Sequence, residues 1–347
     1  MKREETRLVK VGNLTIGHSN EVVIQSMSSF KTSKVKKVVK EINELTPLGL
    51  QLMRISIIDN NDIKAIKKIK NQINIPLVAD IHYSLDYAFK AIKEGVDAIR
   101  INPGNTNPLK LKELLNLAKN NNVAIRIGIN RGSIKIDENK DIPLQLIEKM
   151  SEYVSFFEQN GFYNTVLSIK DSDPLITLKT YELLSETFSY PLHIGVTESG
   201  INEIGTIRSS AILAPLLLKG IGSTIRISLT SPRINEIKAC KRLLHDLNLY
   251  PNYPTLISCP LCGRSMVKSN KELATKVLKY LEDNNINIKV AIMGCVVNGI
   301  NEGKNATIGL AGTKNSYILF KNGQKIREIK EKDVFNEFKK ELDLYKN

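Results

Sequence analysis

The chain has 347 residues, 42% of them apolar, and a formal net charge of +14. This length suits one barrel-sized domain followed by a smaller one. The charged N-terminus, Met1 to Glu5, has no apolar core, so we expect no signal peptide. The longest apolar run, 211–218, is far shorter than the roughly 20 residues that cross a bilayer. We therefore expect a cytoplasmic protein with reduced thiols and no membrane association.

The basic net charge is compatible with nucleic-acid binding. However, the lysines are scattered along helical segments, and aromatic residues are few, at 6% with no Trp. No segment interleaves basic and aromatic residues as a base-stacking platform does. The sequence therefore favours solvated lysines, or a basic surface that attracts an acidic partner protein or a polyanionic substrate.

From the N-terminus, residues 9–16 predict a hairpin over a barrel floor. Short β-branched runs then alternate with Lys/Glu-rich helical segments, which indicates a parallel sheet. The predicted strands are 22–27, 50–56, 76–80, 98–102, 124–130, 165–170, 192–196 and 224–229. Eight such units predict a TIM (β/α)8 barrel. An open doubly wound sheet is the alternative, but no Gly-x-Gly-x-x-Gly turn follows the first strand.

Five predicted strands end in triplets that place a cation beside an isoleucine. Because side chains alternate between the two faces of a strand, the polar members should face the barrel axis. The cations are Arg54, Arg100, Arg126, Lys170 and Arg226. Gathered at the carboxyl ends of the strands, they predict a site for a phosphate or diphosphate. Alternatively, Asp80, Glu198 and other carboxylates neutralise them in a structural network.

We predict a barrel over residues 1–248, a proline-containing linker over 249–255, and a smaller α+β domain over 256–347. The smaller domain should contain a strand around Ser258, helices over 270–283 and 332–345, and a strand over 286–293. The pair Asn322-Gly323 predicts a hairpin turn.

Three cysteines in this second domain have the spacing of a metal site. Cys259 and Cys262 are separated by two residues, and Cys295 lies on a later glycine-rich loop. Thiolates select zinc or iron–sulfur clusters, and three of them leave a [4Fe-4S] cluster one ligand short. Cys240, in a segment with helical apolar spacing, is expected to be a buried apolar residue.

Seven colinear motifs resemble those of the 4-hydroxy-3-methylbut-2-enyl diphosphate synthase family, which acts in the methylerythritol phosphate route to isoprenoids. They are VIQSM (23–27), LVADIH (77–82), IRINPGN (99–105), IRIGIN (125–130), HIGVTE (193–198), SCPLCGR (258–264) and MGCVVNG (293–299). The resemblance covers nearly the whole chain. It implies reductive dehydroxylation and ring opening of 2-C-methyl-D-erythritol 2,4-cyclodiphosphate to hydroxymethylbutenyl diphosphate, with two electrons passing through a [4Fe-4S] cluster.

The resemblance also implies roles for individual residues. The cluster ligands would be Cys259, Cys262, Cys295 and Glu302, and the catalytic residues Glu198, as a proton donor, and Asn298. The substrate-binding residues would be Arg54, Arg100, Arg126, Asn130, Lys170, Arg226 and Ser228. Where the family usually has Pro-Gly before the glutamate, this chain has Ile300-Asn301, which makes the placement of Glu302 less secure than that of the cysteines.

Partners follow from the same resemblance. The electron donor would be reduced flavodoxin or ferredoxin, and the enzyme would be a homodimer in which one subunit's cluster domain covers the other's barrel. The competing hypothesis is a zinc-stabilised nucleic-acid-binding protein, which gives no reason for five cations at strand ends. A radical enzyme that uses S-adenosylmethionine would need three closely spaced cysteines within the barrel, and these are absent from the sequence.

Overall fold

In the computed structural model, the chain forms two compact units, Met1–Leu249 and Tyr250–Asn347. The structure describes residues 1–81, 84–104, 106–260, 262–267 and 270–346, without the side chains of Ser133, Val297 and Asn298. The predicted linker, 249–255, begins at the division between the two units. No helix in these ranges is both long and apolar enough to cross a bilayer.

The first unit opens with the predicted floor hairpin, the antiparallel strands β1 (Val9–Val11) and β2 (Leu14–Ile16). Val9, Val11 and Ile16 are buried against the first inward-facing side chains of the barrel strands. Those partners are Val23, Leu52, Val78, Ala98, Ala124 and Val166. The hairpin therefore seals the N-terminal end of the barrel with an apolar layer.

In the described part of the first unit, eight parallel strands form the barrel. They are β3 (Val23–Met27), β4 (Leu52–Ile57), β5 (Leu77–Ile81), β6 (Ala98–Ile101), β7 (Ala124–Asn130), β8 (Thr165–Lys170), β9 (His193–Ile194) and β10 (Thr224–Ile225). Their order in the sheet is β8-β7-β6-β5-β4-β3-β10-β9. A parallel bridge between Leu167 and Leu192 joins the two ends. The predicted TIM barrel is confirmed.

Helices follow the strands around the outside of the barrel. They are α1 (Val35–Leu45), α2 (Asn60–Lys70), α3 (Leu85–Lys93), α4 (Pro108–Asn120), α5 (Ile142–Gln159), α6 (Pro174–Thr187), α7 (Asn202–Leu218) and α8 (Arg233–Asp246). Side-chain caps fix several starts: Asp59 accepts main-chain N–H groups at the start of α2, and Asp173 does so at α6. These caps set where each loop at the barrel mouth ends.

The last two barrel strands are shorter than predicted. The regular ladder ends at Ile194 in β9 and at Ile225 in β10, whereas the apolar pattern extends to residues 196 and 229. Gly195 follows at this point, and glycine in a strand weakens it while permitting close approach of a neighbouring chain. The residues beyond the ladder enter the barrel mouth.

The second unit holds a mixed sheet of strands β11 (Thr255–Ser258), β12 (Lys289–Met293), β13 (Ile308–Thr313), β14 (Ser316–Lys321) and β15 (Gln324–Lys330) in sequential order. The first three are parallel, and the last two pairings are antiparallel. The β14–β15 turn falls at Asn322-Gly323, as predicted, with φ of +48° and +76°.

The helices of this unit divide between two apolar clusters. The helices α9 (Asn270–Asp283) and α11 (Val334–Asp343) share one cluster, to which they contribute Val277 and Phe338. The short helix α10 (Val296–Glu302) packs on the other cluster through Val296 and Ile300, and Cys259 packs on that same cluster. The α+β architecture predicted from the sequence is confirmed.

The floor hairpin yields a stability test. Ile16→Ala should lower the free energy of unfolding by about 2–5 kcal/mol, because a buried side chain is lost and a cavity remains. Urea unfolding of the purified chain measures this change. Thr15→Ala, on the exposed face of the same strand, should change stability by less than about 0.5 kcal/mol. Equal effects of the two substitutions would show that the hairpin is not part of the barrel core.

Candidate active site

The cations predicted from the strand ends lie together inside the barrel. Strand register places Arg100 opposite both Asp80 and Arg126, and Lys170 opposite Asn130. Arg100, Arg126 and Arg226 are buried, whereas Arg54 and Lys170 are partly buried. The alternation of side chains along each strand therefore directs them into the barrel interior, where Lys170 is close enough to interact electrostatically with all four arginines.

Two carboxylates hold three of these arginines. Asp80 lies 3.4 Å from Arg54 Nε and 3.5 Å from Arg100 Nη1. Glu236, in the first turn of α8, lies 3.2 Å from Arg226 Nη2 and 2.6 Å from Arg233 Nη1. The neutralising network proposed as the alternative therefore exists for Arg54, Arg100 and Arg226.

The remaining two cations have no carboxylate partner among the described residues. Arg126 donates from Nη1 to Gln25 Oε1 at 2.6 Å, and its buried Nε has no hydrogen-bond partner in the described part of the chain. Burial, followed by repulsion from neighbouring arginines, lowers the pKa of Lys170 well below its ordinary value. Burial also lowers the pKa of Arg126. In both residues burial is the first cause of the lowered pKa, and repulsion from neighbouring arginines adds to it.

A fully buried histidine, His193, lies beside these cations. Its Nδ1 and Thr224 Oγ1 are 2.7 Å apart and share a hydrogen bond, whereas its Nε2 has no partner within the described residues. Burial, then the nearby Arg126 and Lys170, lowers the pKa of His193 well below its ordinary value, so the ring is neutral at pH 7. The electrostatic surroundings of His193 could not be predicted from sequence, because they depend on side chains from several separate strands.

Two glycines leave room for the cations. A Cβ at Gly128 would lie 2.5 Å from Arg100 Nε, and one at Gly195 would lie 3.1 Å from Lys170 Nζ. Real Cβ atoms almost never approach another atom as closely as 2.5 Å, so a larger residue at Gly128 would displace the Arg100 side chain. At Gly195, a Cβ would also lie 2.7 Å from the main-chain carbonyl oxygen of Arg226. Gly128 and Gly195 are important because they have no side chain, and this requirement cannot be recognised from the sequence motifs that contain them.

Above the cations, a cavity of about 700 Å³ opens at the mouth. Asn130, Lys170 and Glu198, three predicted site residues, line it. Glu198 is exposed and has φ of +53°, a conformation that non-glycine residues seldom adopt and that is often found at functional sites. Ser228 is half-buried in the segment that follows β10.

The thiols of Cys259, Cys262 and Cys295 in the second unit form no disulfide bond. The loops that carry Cys259 and Cys295 are joined by a hydrogen bond. The main-chain N–H of Gly294, next to Cys295, donates to Cys259 Sγ at 3.1 Å. Main-chain and side-chain hydrogen bonds from Arg264 lower the pKa of the exposed Cys262 thiol, which favours the thiolate that binds metals. Cys240 is fully buried in α8, as expected of an apolar residue.

The remaining predicted ligand and catalytic residue lie on α10. Cys295 immediately precedes the helix, and Glu302 is its last residue and is exposed. Asn298 belongs to this helix, but its side chain lies outside the described part of the structure. Among the described residues, no three Cys, His, Asp or Glu side chains lie close enough to bind one metal ion together.

The donors nevertheless fit an iron–sulfur cluster in kind. Free thiols and a main-chain N–H directed at sulfur are the features that hold such clusters and adjust their potentials. Binding a metal centre commonly supplies the free energy that organises its own ligands. Cys259, Cys262 and Cys295 are therefore a suitable partial ligand set.

Comparison with solved structures supports the barrel fold. The dihydropteroate synthase of Stenotrophomonas maltophilia has a TM-score of 0.53 with 11% identity, over 71% of this chain and 100% of that chain. That of Vibrio fischeri ES114 has a TM-score of 0.50 with 15% identity, over 71% and 100%. At such low identity, the similarity shows the fold alone.

Comparisons of the sequence identify the family as well as the fold. The GcpE TIM-barrel domain matches residues 6–241, and the GcpE protein C-terminal domain matches residues 255–344. Proteins named 4-hydroxy-3-methylbut-2-en-1-yl diphosphate synthase (flavodoxin) are similar over 99% of this chain. One from Exiguobacterium sp. (strain AT1b) is 44% identical over 93% of its own length, and one from Bacillus mycoides (strain KBAB4) is 42% identical over 95%. The chain therefore belongs to the GcpE family.

Proposed function

We propose that this chain is a 4-hydroxy-3-methylbut-2-en-1-yl diphosphate synthase. It takes 2-C-methyl-D-erythritol 2,4-cyclodiphosphate, opens the ring, and removes one hydroxyl as water with the uptake of two electrons. The observation that carries this proposal is the excess of buried positive charge within the barrel. Among the described residues, Asp80 and Glu236 pair with three of the five strand-end cations, and no carboxylate pairs with Arg126 or Lys170.

A diphosphate is the ligand that this charge favours. Removing an ion from water costs several kcal/mol, which an incoming anion offsets only if it contacts the cations directly. Arg126 has an unused Nε–H, and Lys170 has no acidic partner in the described structure. Charge-assisted hydrogen bonds to phosphate oxygens contribute about 1.5–3 kcal/mol each. We therefore assign Arg54, Arg100, Arg126, Lys170 and Arg226 to the diphosphate.

The residues of the mouth orient the rest of the substrate. Asn130 and Ser228 offer hydrogen-bonding groups at the ends of two strands, and Glu198 lines the same cavity as Lys170. The constrained backbone of Glu198 directs its carboxyl group, which can hold a proton and deliver it to the carbon skeleton. Asn298 is proposed as a second catalytic residue on the strength of its motif.

The electrons require a redox centre, and we propose a [4Fe-4S] cluster on Cys259, Cys262, Cys295 and Glu302. Such a cluster supplies electrons one at a time to an oxidised substrate. The three thiols bind through sulfur, and a carboxylate is a harder and more readily displaced ligand for iron than a thiolate. These four residues hold the cluster, while the barrel binds and orients the substrate.

We propose reduced flavodoxin as the electron donor, because the similar proteins carry flavodoxin in their names. The net charge of +14 favours an acidic partner of this kind. We also propose a homodimer in the cytoplasm, where thiols stay reduced. The alternative, a zinc-stabilised nucleic-acid-binding protein, has no support: the clustered arginines are buried inside a barrel, where a nucleic-acid backbone does not reach.

Metal analysis tests the cluster. Anaerobically purified protein should be brown, with about four iron and four sulfide per chain. Cys295→Ala should lose most of this iron because one ligand is removed. Cys240→Ala is the matched control, since this thiol is fully buried in the other unit, and should retain it. Stoichiometric zinc, or full iron content in Cys295→Ala, would refute the assignment.

Gly128→Ala tests the role of the cations in substrate binding. The added methyl group would displace Arg100, so kcat/KM for the cyclic diphosphate should fall roughly 10- to 100-fold, equivalent to one charge-assisted contact. Steady-state turnover with an artificial one-electron reductant measures this. In Thr15→Ala, an exposed position of the floor hairpin at the opposite end of the barrel, kcat/KM should stay within about twofold of the parent. A decrease in melting temperature without loss of kcat/KM would make Arg100 a structural residue only.

The fourth cluster ligand has its own test. Glu302→Ala should leave three thiolate ligands and most of the iron, while turnover falls by at least roughly tenfold, because the replaceable iron site is altered. Iron content, oxygen sensitivity and turnover are measured together. Asn301→Ala, an exposed neighbour on the same helix, is the control. Unchanged turnover in Glu302→Ala would remove this residue from the iron site.

A further inference from the structure

A further cation, Arg131, lies at the mouth of the barrel beyond the five that end the strands. It follows Asn130, the last residue of β7, and begins a short helical turn. Its side chain is 30% exposed and lines the cavity of about 700 Å³ that Lys170 and Glu198 also line. It is not among the residues assigned to the substrate above, although its guanidinium group borders the space that the substrate would occupy.

Two carboxylates that line the same cavity hold Arg131 in the free protein. Its Nη2 donates to Glu138 Oε2 at 2.5 Å, and its Nη1 lies 3.7 Å from Asp171 Oδ2. Glu138 belongs to the loop between β7 and α5, whereas Asp171 directly follows β8. The hydrogen bond to Glu138 raises the pKa of Arg131 above its ordinary value, so the side chain is charged. Arg131 therefore connects two loops of the mouth as a permanent cation.

The two carboxylates differ in how firmly they hold this cation. The Glu138 side chain is 65% exposed, and water screens an exposed ion pair, which therefore contributes little to stability. The Asp171 side chain is only 2% exposed, and its Oδ1 accepts the main-chain N–H of Asp173 at 2.8 Å, which fixes the carboxyl group. A ligand can thus replace Glu138, while Asp171 keeps the guanidinium group beside the cavity.

The conformation of the loop is held by bonds other than the pair between Arg131 and Glu138. Gln145, near the start of α5, accepts the main-chain N–H of Asp137 and donates to the Asp137 carbonyl, both at 2.9 Å. Asp141 caps α5 by accepting the main-chain N–H of Leu144. These bonds fix the chain on both sides of Glu138. The ion pair is therefore available for exchange without loss of the loop.

A phosphate oxygen is the acceptor best suited to replace Glu138. The planar guanidinium group presents several N–H donors, so one edge can contact a phosphate while Asp171 stays near another. Hydrogen bonds from arginine to phosphate are charge-assisted, and they are stronger than a screened pair with an exposed carboxylate. Lys170 lines the same cavity, so an anion held by Lys170 lies in the compartment that Arg131 borders.

We propose that Arg131 is a further substrate-binding residue, which exchanges Glu138 for a phosphate oxygen of the cyclic diphosphate. Glu138 is then an internal competitor that occupies the guanidinium group until the substrate binds. This inference rests on the proposed function and adds one cation to its binding site. The two partners of one ion pair should have opposite effects: removal of Arg131 weakens substrate binding, and removal of the Glu138 charge strengthens it. Loss of a purely structural ion pair would act in the same direction in both variants.

Steady-state turnover of the holoenzyme with an artificial one-electron reductant tests this exchange. Arg131→Ala should raise KM for the cyclic diphosphate roughly 10-fold with kcat within about twofold, because binding shared by the ground and transition states is lost. Glu138→Gln should lower KM roughly two- to fivefold, because the competing charge is removed. Lys140→Ala is the matched control: this exposed lysine of the same loop pairs with Asp137, and KM should stay within about twofold of the parent.

A double variant separates exchange from general electrostatics. In the Arg131→Ala background, Glu138→Gln should no longer lower KM, because the carboxylate acts through the guanidinium group alone. A decrease in KM that persists there would show that Glu138 repels the anion directly, which would refute the exchange. A rise in KM in both single variants would make the pair structural. A parent without turnover would refute the proposed function and this inference with it, whereas an active parent with an unchanged KM in Arg131→Ala would refute only the role of Arg131.

Discussion

The barrel interior holds five positively charged side chains in a small volume, and the way in which they are accommodated determines the structure around them. Asp80 and Glu236 hold Arg54, Arg100 and Arg226, while Arg126 and Lys170 have no acid partner among the described residues. Such an arrangement is unfavourable in isolation, because repulsion and loss of hydration add together. It persists because each side chain projects from a separate strand or strand end, and because Arg54, Arg100 and Arg226 are held by carboxylates and Arg126 by Gln25. A polyanion with two phosphate groups relieves this repulsion, which gives the free protein its affinity for such a ligand.

The surrounding structure directs that charge to one end of the barrel. The hairpin of β1 and β2 fills the opposite end with Val9, Val11 and Ile16, so that end of the barrel is closed by apolar side chains. Gly128 and Gly195 give the charged side chains space to lie across neighbouring strands. The apolar floor also keeps the interior poor in water, which strengthens the interaction with an anion. The arrangement of the cations therefore depends on residues that carry no charge as well as on the carboxylates.

Sequence reasoning could predict the barrel and the inward direction of the cations, because both follow from local periodicity. It could not predict what holds each cation in place. The Gln25 amide that meets Arg126 lies 101 residues away in the chain, and Glu236 looks like any acidic residue in the first turn of a helix. The turn at Asn322-Gly323 was predictable because its signal is contained in two residues. Contacts between distant elements, including the hydrogen bond from Gly294 to Cys259, have no such local signal.

Helix α7 connects these features to the outer surface. It follows the loop that holds Glu198 in its constrained conformation, and Arg208 binds that loop through the Ser199 carbonyl. Its inner face packs into the barrel, and apolar residues lie exposed on its outer face. Arg208 therefore links the helix to the loop that carries Glu198. Because a helix is stiff along its length, the packing of its inner face into the barrel restrains its N-terminal contacts as well. The barrel core thus supports the mouth loop that presents the proposed proton donor.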